Sequence, residues 1–277
     1  MPELPEAETI ARGLSRHLSG KLIAQVRALR PDIFNLRPRS LKKLLQGRMI
    51  TDAGRLGKKV LLEVEGGNKL VFSLGMSGQL YLLSAKEALP THTHLLLVFS
   101  GLKQSLIFRD PRRFGRIDLV GKNSVKGACT ALDKLGADAL SISENEFIAV
   151  ISVKKRQIKP LLLDQTCICG LGNIYADECL FRARIHPLSR ADELDQGELR
   201  HLYWAMRELL LEAISEGGSS ISDYVDASGE MGKFQAQHKV YGREGESCPV
   251  CGERIVKVRV GGRGTHFCPR CQSEGKP

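Results

Sequence analysis

Four cysteines near the end of the sequence constrain the fold more than any other feature. They form two Cys-x2-Cys pairs, Cys248 with Cys251 and Cys268 with Cys271, separated by residues 252–267. Pairs at this spacing can close a tetrahedron around one zinc ion, whereas disulfides or unmodified thiols are the alternative. Because all four ligands would be thiolates, no coordination position is left for water. We therefore expect one structural Zn²⁺.

The segment between the cysteine pairs has the pattern of a β-hairpin. Apolar residues recur at Ile255, Val256, Val258 and Val260, and Gly261–Gly262 follow as a turn. Arg263 would then stand at the tip, where the neighbouring glycines let the backbone approach a ligand closely. An arginine there suits phosphate binding, and a solvated arginine is the simpler alternative.

The charge balance indicates a partner that is a polyanion. The chain has 277 residues, 42% of them hydrophobic, with 41 Lys and Arg against 31 Asp and Glu, a net charge of +10. Such a balance favours nucleic acid, although it also fits a merely basic protein. No apolar run is long enough to span a membrane, and the acidic start does not resemble a secretory signal. We expect a cytoplasmic, nucleoid-associated protein in a reducing compartment.

The pattern along the chain predicts an α+β fold with two domains and a finger. A leading helix over 5–18 and several short strands predict a mostly β domain over 1–122. Helical periodicity then predicts a domain over 123–235, which includes a linker at about 121–145 and a mobile Gly/Ser-rich loop at about 217–233. Residues 236–277 form the finger. The predicted strands are 22–29, 58–65, 69–75, 92–99, 104–109 and 115–120, and the clearest helices are 145–153, 173–182 and 192–215.

The N-terminus is acidic in an otherwise basic chain. Glu6 and Glu8 fall in the first turns of the leading helix, where carboxylates complement the helix dipole, but Glu3 precedes that helix. Met1 before the small Pro2 is a context in which the methionine is normally removed. The product would be a secondary amine beside a carboxylate, and such an amine is partly unprotonated at neutral pH and can attack carbonyl-like carbons.

Taken together, the motifs of the chain resemble the formamidopyrimidine-DNA glycosylases, bacterial enzymes that excise oxidised purines. The resemblance runs from end to end and implies an N-terminal β-sandwich, a helical domain with a helix-two-turn-helix motif, and a zinc finger, with DNA between the two lobes. The matching segments are MPELPE at 1–6, LGKKVLLEV around Lys58, LGMSGQL around Met76, HTH at 92–94, DPRRFG at 110–115, LLLDQ at 161–165, GLGNIYADE at 170–178, GGSSISDY at 217–224, VYGR at 240–243 and the four cysteines.

The resemblance assigns catalytic roles to four residues. It implies that Pro2 attacks C1′ of the damaged nucleotide and that Glu3 is the acid/base partner. The resulting imine would permit β-elimination and then δ-elimination of the flanking phosphates. Lys58 and Arg263 resemble the residues assigned to these strand-cleavage steps, where a cation stabilises a phosphate leaving group. Without the resemblance, Lys58 reads as a surface lysine at the start of a strand.

The resemblance also implies a set of DNA contacts. Asn173 would bind a phosphate at the start of a helix, although it is equally a good helix cap. Met76, Arg112 and Phe114 resemble the residues that fill the stack after base extrusion, and the 217–233 loop the segment that covers the extruded base. Related enzymes vary at the position of Ser77. The remaining predicted contacts are His92 and Lys154, or Lys155 in its place.

Two other functions remain open at this point. One is a relative that prefers oxidised pyrimidines, against which Leu4 and the GGSSISDY segment argue. The other is a non-catalytic protein that binds damaged DNA, against which the joint presence of Pro2, Glu3, Lys58 and Arg263 argues. We expect a monomer that binds damaged double-stranded DNA, since no heptad seam is legible in the sequence.

Overall fold

A computed structural model describes residues 2–35, 37–121 and 132–273. Met1 and much of the predicted linker at 121–145 therefore lie outside the described residues. The chain divides into two compact units. The first contains residues 1–134 and 216–235, and the second contains residues 135–215 and 236–277. The domain boundaries expected after residues 122 and 235 stay predictions.

The first unit contains two antiparallel four-stranded sheets and a leading helix. One sheet has the order β1-β6-β7-β5 and the other the order β2-β3-β4-β8. Buried side chains from both sheets and from α1 form one hydrophobic core. Its elements are α1 (Leu4–Leu18), β1 (Ile23–Ala28), α2 (Pro38–Leu45), β2 (Ile50–Leu56), β3 (Lys59–Val64), β4 (Asn68–Ser73), β5 (Gln79–Ser84), β6 (Thr93–Phe99), β7 (Gln104–Arg109) and β8 (Arg116–Gly121).

The second unit is helical and ends in the finger. A parallel pair of two-residue strands, β9 and β10, lies among its helices, and β11 pairs antiparallel with β12. Its elements are β9 (Ala137–Asp138), α3 (Glu144–Ser152), α4 (Ile158–Leu162), β10 (Ile168–Cys169), α5 (Asn173–Ala183), α6 (Gln196–Ser215), β11 (Val256–Val260) and β12 (Arg263–Phe267). None of the helices among the described residues combines the length and apolarity that a membrane span requires.

The predicted mixed α+β fold class is confirmed. The N-terminal helix shows why it could be predicted from the sequence. Pro5 lies in the first turn of α1, and the apolar positions Ile10, Leu14 and Leu18 are fully buried. These positions share one face of a helix, which α1 lays onto the core of the first unit. Gly20, at φ 77°, follows the end of the helix in a conformation that favours glycine.

Residues 216–235, which we call the returning segment, rejoin the first unit, and the mobility expected of the loop at about 217–233 stays a prediction. Tyr224 and Ala227 are buried in the core shared with α1 and the sheets. Leu82 of β5 donates its backbone N–H to the carbonyl oxygen of Ala227 over 2.9 Å. A Cβ on Gly13 of α1 would lie 2.5 Å from the Cβ of Ala227, so the segment packs directly on the helix. The absence of a side chain at Gly13 therefore permits this close packing.

Candidate catalytic and nucleic-acid-binding residues

Pro2 and Glu3 lie buried immediately before α1. Glu3 is 2% exposed, and its backbone N–H donates to Oε2 of Glu6 over 2.7 Å, which caps the helix. Met1, whose removal the amine of Pro2 requires, lies outside the described residues. The arrangement places a shielded carboxylate next to the residue predicted to be the nucleophile.

Glu6 links this N-terminal end to the returning segment. Its Oε1 accepts a hydrogen bond from the backbone N–H of Ser219 over 2.7 Å, and the residue is 1% exposed. Gly218 approaches so closely that a Cβ there would lie 2.8 Å from the same oxygen. The sequence indicates helix capping for Glu6, and one carboxylate oxygen has that role. The other oxygen binds the returning segment.

The returning segment is held by its own polar side chains. Ser220 donates its hydroxyl to the carbonyl oxygen of Tyr224 and accepts the N–H of Gly232, each over 2.9 Å. Tyr224 donates its hydroxyl to the carbonyl oxygen of Gly217 over 2.9 Å. Burial raises the pKa of this phenol, with the charge of Glu6 adding to the effect, so the group remains a neutral donor.

Lys58 occupies the turn between β2 and β3. The preceding Gly57 has φ 56°, and its carbonyl oxygen accepts a hydrogen bond from Nη1 of Arg55 over 2.9 Å. Arg55 in turn pairs with Glu8 of α1 over 2.8 Å, so the turn is tied to the helix that follows Pro2. Lys59, by contrast, donates to Oγ of Ser73 over 2.6 Å, and burial lowers its pKa. The structure thus gives the two adjacent lysines different surroundings.

Met76, Arg112 and Phe114, the predicted intercalating residues, are brought together on two neighbouring loops. Met76 is 45% and Phe114 55% exposed, so both apolar side chains are open to solvent. The guanidinium carbon of Arg112 lies 4.9 Å from the centre of the Phe114 ring. The loops touch closely, since a Cβ on Gly75 would lie 2.8 Å from the backbone of Phe114.

A buried carboxylate that sequence analysis did not single out holds these two loops. Asp110, 1% exposed, accepts the hydroxyl of Ser77 over 2.6 Å at Oδ1 and the N–H of Gly115 over 2.7 Å at Oδ2. Its backbone N–H also donates to the carbonyl oxygen of the exposed His92 over 3.0 Å. The aspartate that opens the DPRRFG motif was the available signal. Ser77 therefore has a supporting role here.

Asn173 begins α5, but Gly172 is the capping residue, so the prediction that Asn173 caps the helix is wrong. The cause is visible in its side chain. Nδ2 of Asn173 donates to the carbonyl oxygen of Gly264 over 2.9 Å, across to the hairpin of the finger. Oδ1 has no hydrogen-bond partner among the described residues. Asn173 and the backbone next to Arg263 are thus brought together.

A fully buried ion pair fixes the same hairpin. Nζ of Lys159 lies 2.6 Å from Oδ1 of Asp177, and both side chains are 0% exposed. Lys159 also donates to Oγ1 of Thr265 over 2.7 Å, and Oδ2 of Asp177 accepts the N–H of His266 over 2.9 Å. Arg263 itself is exposed at the start of β12. The pair therefore positions the strand that presents this arginine.

Glu178 anchors the chain that leads into the finger. Its Oε1 accepts the backbone N–H groups of Lys239, Val240 and Tyr241 over 2.8 to 3.0 Å. Burial raises the pKa of this carboxyl, whereas the three hydrogen bonds act in the opposite direction. Sequence analysis missed both acids of GLGNIYADE, because their partners lie far along the chain.

Lys154 and Lys155 are both exposed after the end of α3, and neither forms an ion pair within the described ranges. Lys154 is close enough to Cys167 to affect its pKa, which burial raises, and Lys155 is near Asp192. The choice of Lys154 as the DNA contact stays a prediction.

The four C-terminal cysteines form a cluster that fits one zinc ion. Their sulfur atoms all lie within 4.8 Å of one another, with 3.8 Å between Cys248 and Cys271 and 3.4 Å between Cys251 and Cys268. Four thiolates about 2.3 Å from a tetrahedral zinc ion stand roughly 3.8 Å apart. The hairpin between the pairs is confirmed, since Val260 pairs with Arg263 and Gly261 and Gly262 turn at φ 55° and 78°. The ion is structural, since all four of its ligands come from the protein.

Three family descriptions match successive parts of the chain. Residues 1–117 match the formamidopyrimidine-DNA glycosylase N-terminal domain, and residues 135–225 match the formamidopyrimidine-DNA glycosylase H2TH domain. Residues 245–273 match a zinc finger found in FPG and IleRS. The order is the one that the motifs imply.

Full-length relatives carry the same description. The formamidopyrimidine-DNA glycosylase of Thermus thermophilus is 44% identical over 279 residues, which cover 99% of this chain and 100% of the relative. That of Pelotomaculum thermopropionicum is 41% identical over 275 residues, which cover 98% and 99%.

Solved structures of a Lactococcus lactis enzyme match the whole fold. Its complex with DNA containing an abasic site has a TM-score of 0.88 at 36% identity and covers 98% of this chain and 100% of that one. Its complex with DNA containing an oxidised pyrimidine has a TM-score of 0.87 at 36% identity, with 99% and 100% covered. A mutant bound to Fapy-dG DNA has a TM-score of 0.89 at 36% identity, with 99% and 100% covered.

Proposed function

The chain belongs to the formamidopyrimidine-DNA glycosylase family, and on that premise we propose that it excises oxidised purines through the amine of Pro2. It is a DNA glycosylase of base excision repair that binds DNA containing lesions, and its family also cleaves abasic sites. The observation that carries the assignment of Pro2 is its position, directly before a carboxylate, Glu3, that is 2% exposed.

The proposed first step replaces the bond to the base. With Met1 removed, the lone pair of the Pro2 nitrogen attacks C1′, and the C1′–N9 bond breaks. Its electron pair leaves with the base, which takes up a proton. Glu3 donates a proton to the ring oxygen O4′ as the sugar opens, and an iminium ion joins Pro2 to C1′. Glu3 is buried, so its carboxyl is kept away from bulk water. Excluding water in this way strengthens the interaction of the carboxyl with the sugar and makes proton transfer more effective.

The second step cleaves the strand. The iminium ion acidifies the C2′ proton, and loss of that proton expels the 3′ phosphate by β-elimination. A further proton loss expels the 5′ phosphate by δ-elimination, and water then releases the sugar remnant from Pro2. Lys58 and Arg263 are proposed to stabilise the departing phosphates. The turn of Lys58 is anchored by Arg55, and the strand of Arg263 by the Lys159–Asp177 pair, which supports both assignments.

The remaining contacts are proposed to open and grip the duplex. Met76 and Phe114 enter the vacated stack, and Arg112 hydrogen-bonds the unpaired base. Exposure of Met76 and Phe114 supports this role. His92, Lys154 and Asn173 are proposed to bind phosphates. We also propose that the protein acts as a monomer, in the cytoplasm where the nucleoid lies, on the ground that its substrate is DNA and its sequence has no heptad seam.

One specific observation favours oxidised pyrimidines as a second candidate class of substrate. The Lactococcus lactis enzyme has been solved with DNA containing an oxidised pyrimidine. Excision assays on matched duplexes, one with 8-oxoguanine and one with thymine glycol, separate the two preferences. We expect faster excision of 8-oxoguanine, and faster excision of thymine glycol would reverse the assignment.

The role of Glu3 is tested by substitution with a matched control. Glu3→Gln keeps the size of the side chain and removes the transferable proton, so we expect excision to fall by about 10²-fold or more. Glu87→Gln, at an exposed position after β5 with no role in the proposed site, is the control and should change excision far less. Equal losses in single-turnover assays would mean that Glu3 acts only through folding.

A further inference from the structure

The first unit contains a cavity of about 430 Å³, and His92 is the one residue of its lining to which the proposed function gives a role. The cavity is lined by Arg30, His92, His94 and Arg113, together with Leu29, Thr93 and Pro111. Three of these side chains, Arg30, His92 and Arg113, are exposed, so the cavity opens to solvent through cationic or imidazole groups. Such a lining favours an anionic occupant.

The backbone is strained on both sides of this cavity. His92 has φ 65° and Arg113 has φ 58°, a left-handed conformation that side chains with a Cβ rarely adopt. Among the described residues, one other non-glycine residue has positive φ, Arg184, which ends α5 where that conformation is common. His92 and Arg113 do not end a helix, so this common explanation for a positive φ does not apply to them. Backbone strain of this kind persists only where surrounding contacts enforce it, and it is found most often at binding sites.

A buried histidine completes the wall. His94 is 3% exposed, and its Nε2 donates to the carbonyl oxygen of Asp110 over 2.8 Å. Its Nδ1 has no hydrogen-bond partner within the described ranges. The bond to Asp110 therefore holds the His94 ring in place beside the loop that carries Arg113.

One carboxylate lies near the mouth of the cavity. Asp32 accepts a hydrogen bond from Nε of Arg30 over 3.3 Å, and the arginine and the aspartate are 45% and 55% exposed. Arg30 lowers the pKa of Asp32, and the charge of Arg113 contributes to the same effect. Exposed pairs of this kind are weak, so a stronger anion can take the place of the carboxylate.

We propose that this cavity is a subsite for a backbone phosphodiester of the DNA, in which Arg30 and Arg113 bind one phosphate together beside His92. The proposal rests on the proposed function, because it assumes a duplex held against Arg112 and Phe114. Arg112 is directed to the Phe114 ring, whereas the adjacent Arg113 lines the cavity. The turn that contains residues 112–114 thus inserts Phe114 into the base stack and binds the adjacent DNA phosphate through Arg113.

The salt dependence of DNA binding tests the subsite. Removing one phosphate interaction reduces the slope of log K against log salt by about 0.9. We expect the double variant Arg30→Gln/Arg113→Gln to reduce the slope by about one, because it removes every arginine contact to the one phosphate. Each single variant should reduce the slope by less, since the remaining arginine still contacts that phosphate. The measurement is fluorescence anisotropy with an undamaged duplex, which requires no chemistry at Pro2.

Two further variants act as controls. Lys103→Gln removes an exposed cation at the other end of the β6–β7 hairpin and should leave the slope unchanged. Asp32→Asn should tighten binding at every salt concentration, since it removes the competing carboxylate. Unchanged melting temperatures for the arginine variants show that the fold is intact.

The outcomes separate the possible occupants. Unchanged slopes in the arginine variants overturn the proposal, and an additive loss of about two slope units overturns the shared subsite. If the slopes are unchanged but Arg30→Gln abolishes binding of inorganic phosphate, followed by ³¹P NMR, the cavity takes a free phosphate and the DNA subsite is rejected. If the slopes fall as expected while excision is absent, the subsite stands and the proposed function fails.

Discussion

Gly218 shows how a single position connects the N-terminal acids to a segment far along the chain. It has φ 81°, and a Cβ there would lie 2.8 Å from Oε1 and 3.0 Å from Cγ of Glu6. Glu6 in turn receives the N–H of Ser219. The glycine is therefore required both by its backbone conformation and by its close approach to Glu6, whose carboxylate accepts the backbone N–H of the predicted catalytic acid, Glu3.

Replacing this glycine separates strain from contact. Gly20 has nearly the same φ, 77°, and a Cβ there would meet no atom within 4 Å, so Gly20→Ala reports backbone strain alone. We expect it to lower the free energy of unfolding by about 1 kcal/mol. Gly218→Ala should cost more and also slow excision, because Glu6 must move. Urea unfolding and single-turnover excision measure the two effects, and equal behaviour of the variants would contradict the role of Gly218.

Residue-level prediction from the sequence succeeded where a motif is local and failed where partners are distant. The Gly261–Gly262 turn and the spacing within each cysteine pair involve only neighbours within a few positions. Asp110 bonds Ser77, and Glu6 bonds Ser219, across long stretches of chain. Nothing in the local pattern shows such pairings, because they arise only when the sheets and α1 pack together. The catalytic roles of Pro2 and Glu3 stay predictions.

At the level of elements, most of the strongly periodic segments were predicted and short or polar ones were not, although the apolar strand β5, with the sequence QLYLLS, was also missed. The amphipathic α1 and α6 and the apolar β3, β6 and β7 were found close to their expected positions. Strand β2, with the sequence ITDAGRL, was missed, since Asp and Gly are poor strand formers and its pairing with β3 fixes it. The five-residue α4 is too short to show helical periodicity.

The short α4 carries the buried lysine on which the finger hairpin depends. Lys159 and Asp177 form an ion pair with both side chains 0% exposed. Removing one partner of such a pair leaves an uncompensated buried charge, so Asp177→Asn should lower the free energy of unfolding by about 3–5 kcal/mol. Arg190 and Asp192 form an exposed pair in the same unit, and Asp192→Asn should barely change the unfolding midpoint. Similar midpoints for the two variants in urea would contradict the importance of the buried pair.

The stability of the molecule as a whole should depend on pH through a buried histidine. Burial lowers the pKa of His238 to about 4, whereas an unfolded histidine has a pKa of about 6.5. Between these values the unfolded chain binds more protons, so the stability due to this group is present above pH 6.5 and is lost as the pH falls toward 4. The expected slope is at most about 1.4 kcal/mol per pH unit.

Unfolding of matched variants across this pH range isolates the contribution. His238→Gln should flatten the pH dependence of the free energy of unfolding between pH 6.5 and 4. The exposed His201 of α6 is the control, since its ring remains in water when the chain folds, and His201→Gln should leave the slope as it is. If His238→Gln had the same slope of unfolding free energy against pH as the wild type, the loss of stability at low pH would come from other titrating groups.

The central claim is that the amine of Pro2 forms a covalent bond to the damaged nucleotide. Borohydride reduces an iminium ion to a stable amine, so it fixes protein to DNA while the intermediate exists. Protein shown by mass spectrometry to have lost Met1 should be trapped on a duplex containing 8-oxoguanine. Pro2→Gly should still bind that duplex but lose most of the trapped product. Absence of a trapped product with the processed protein, or equal trapping by Pro2→Gly, would contradict the claim.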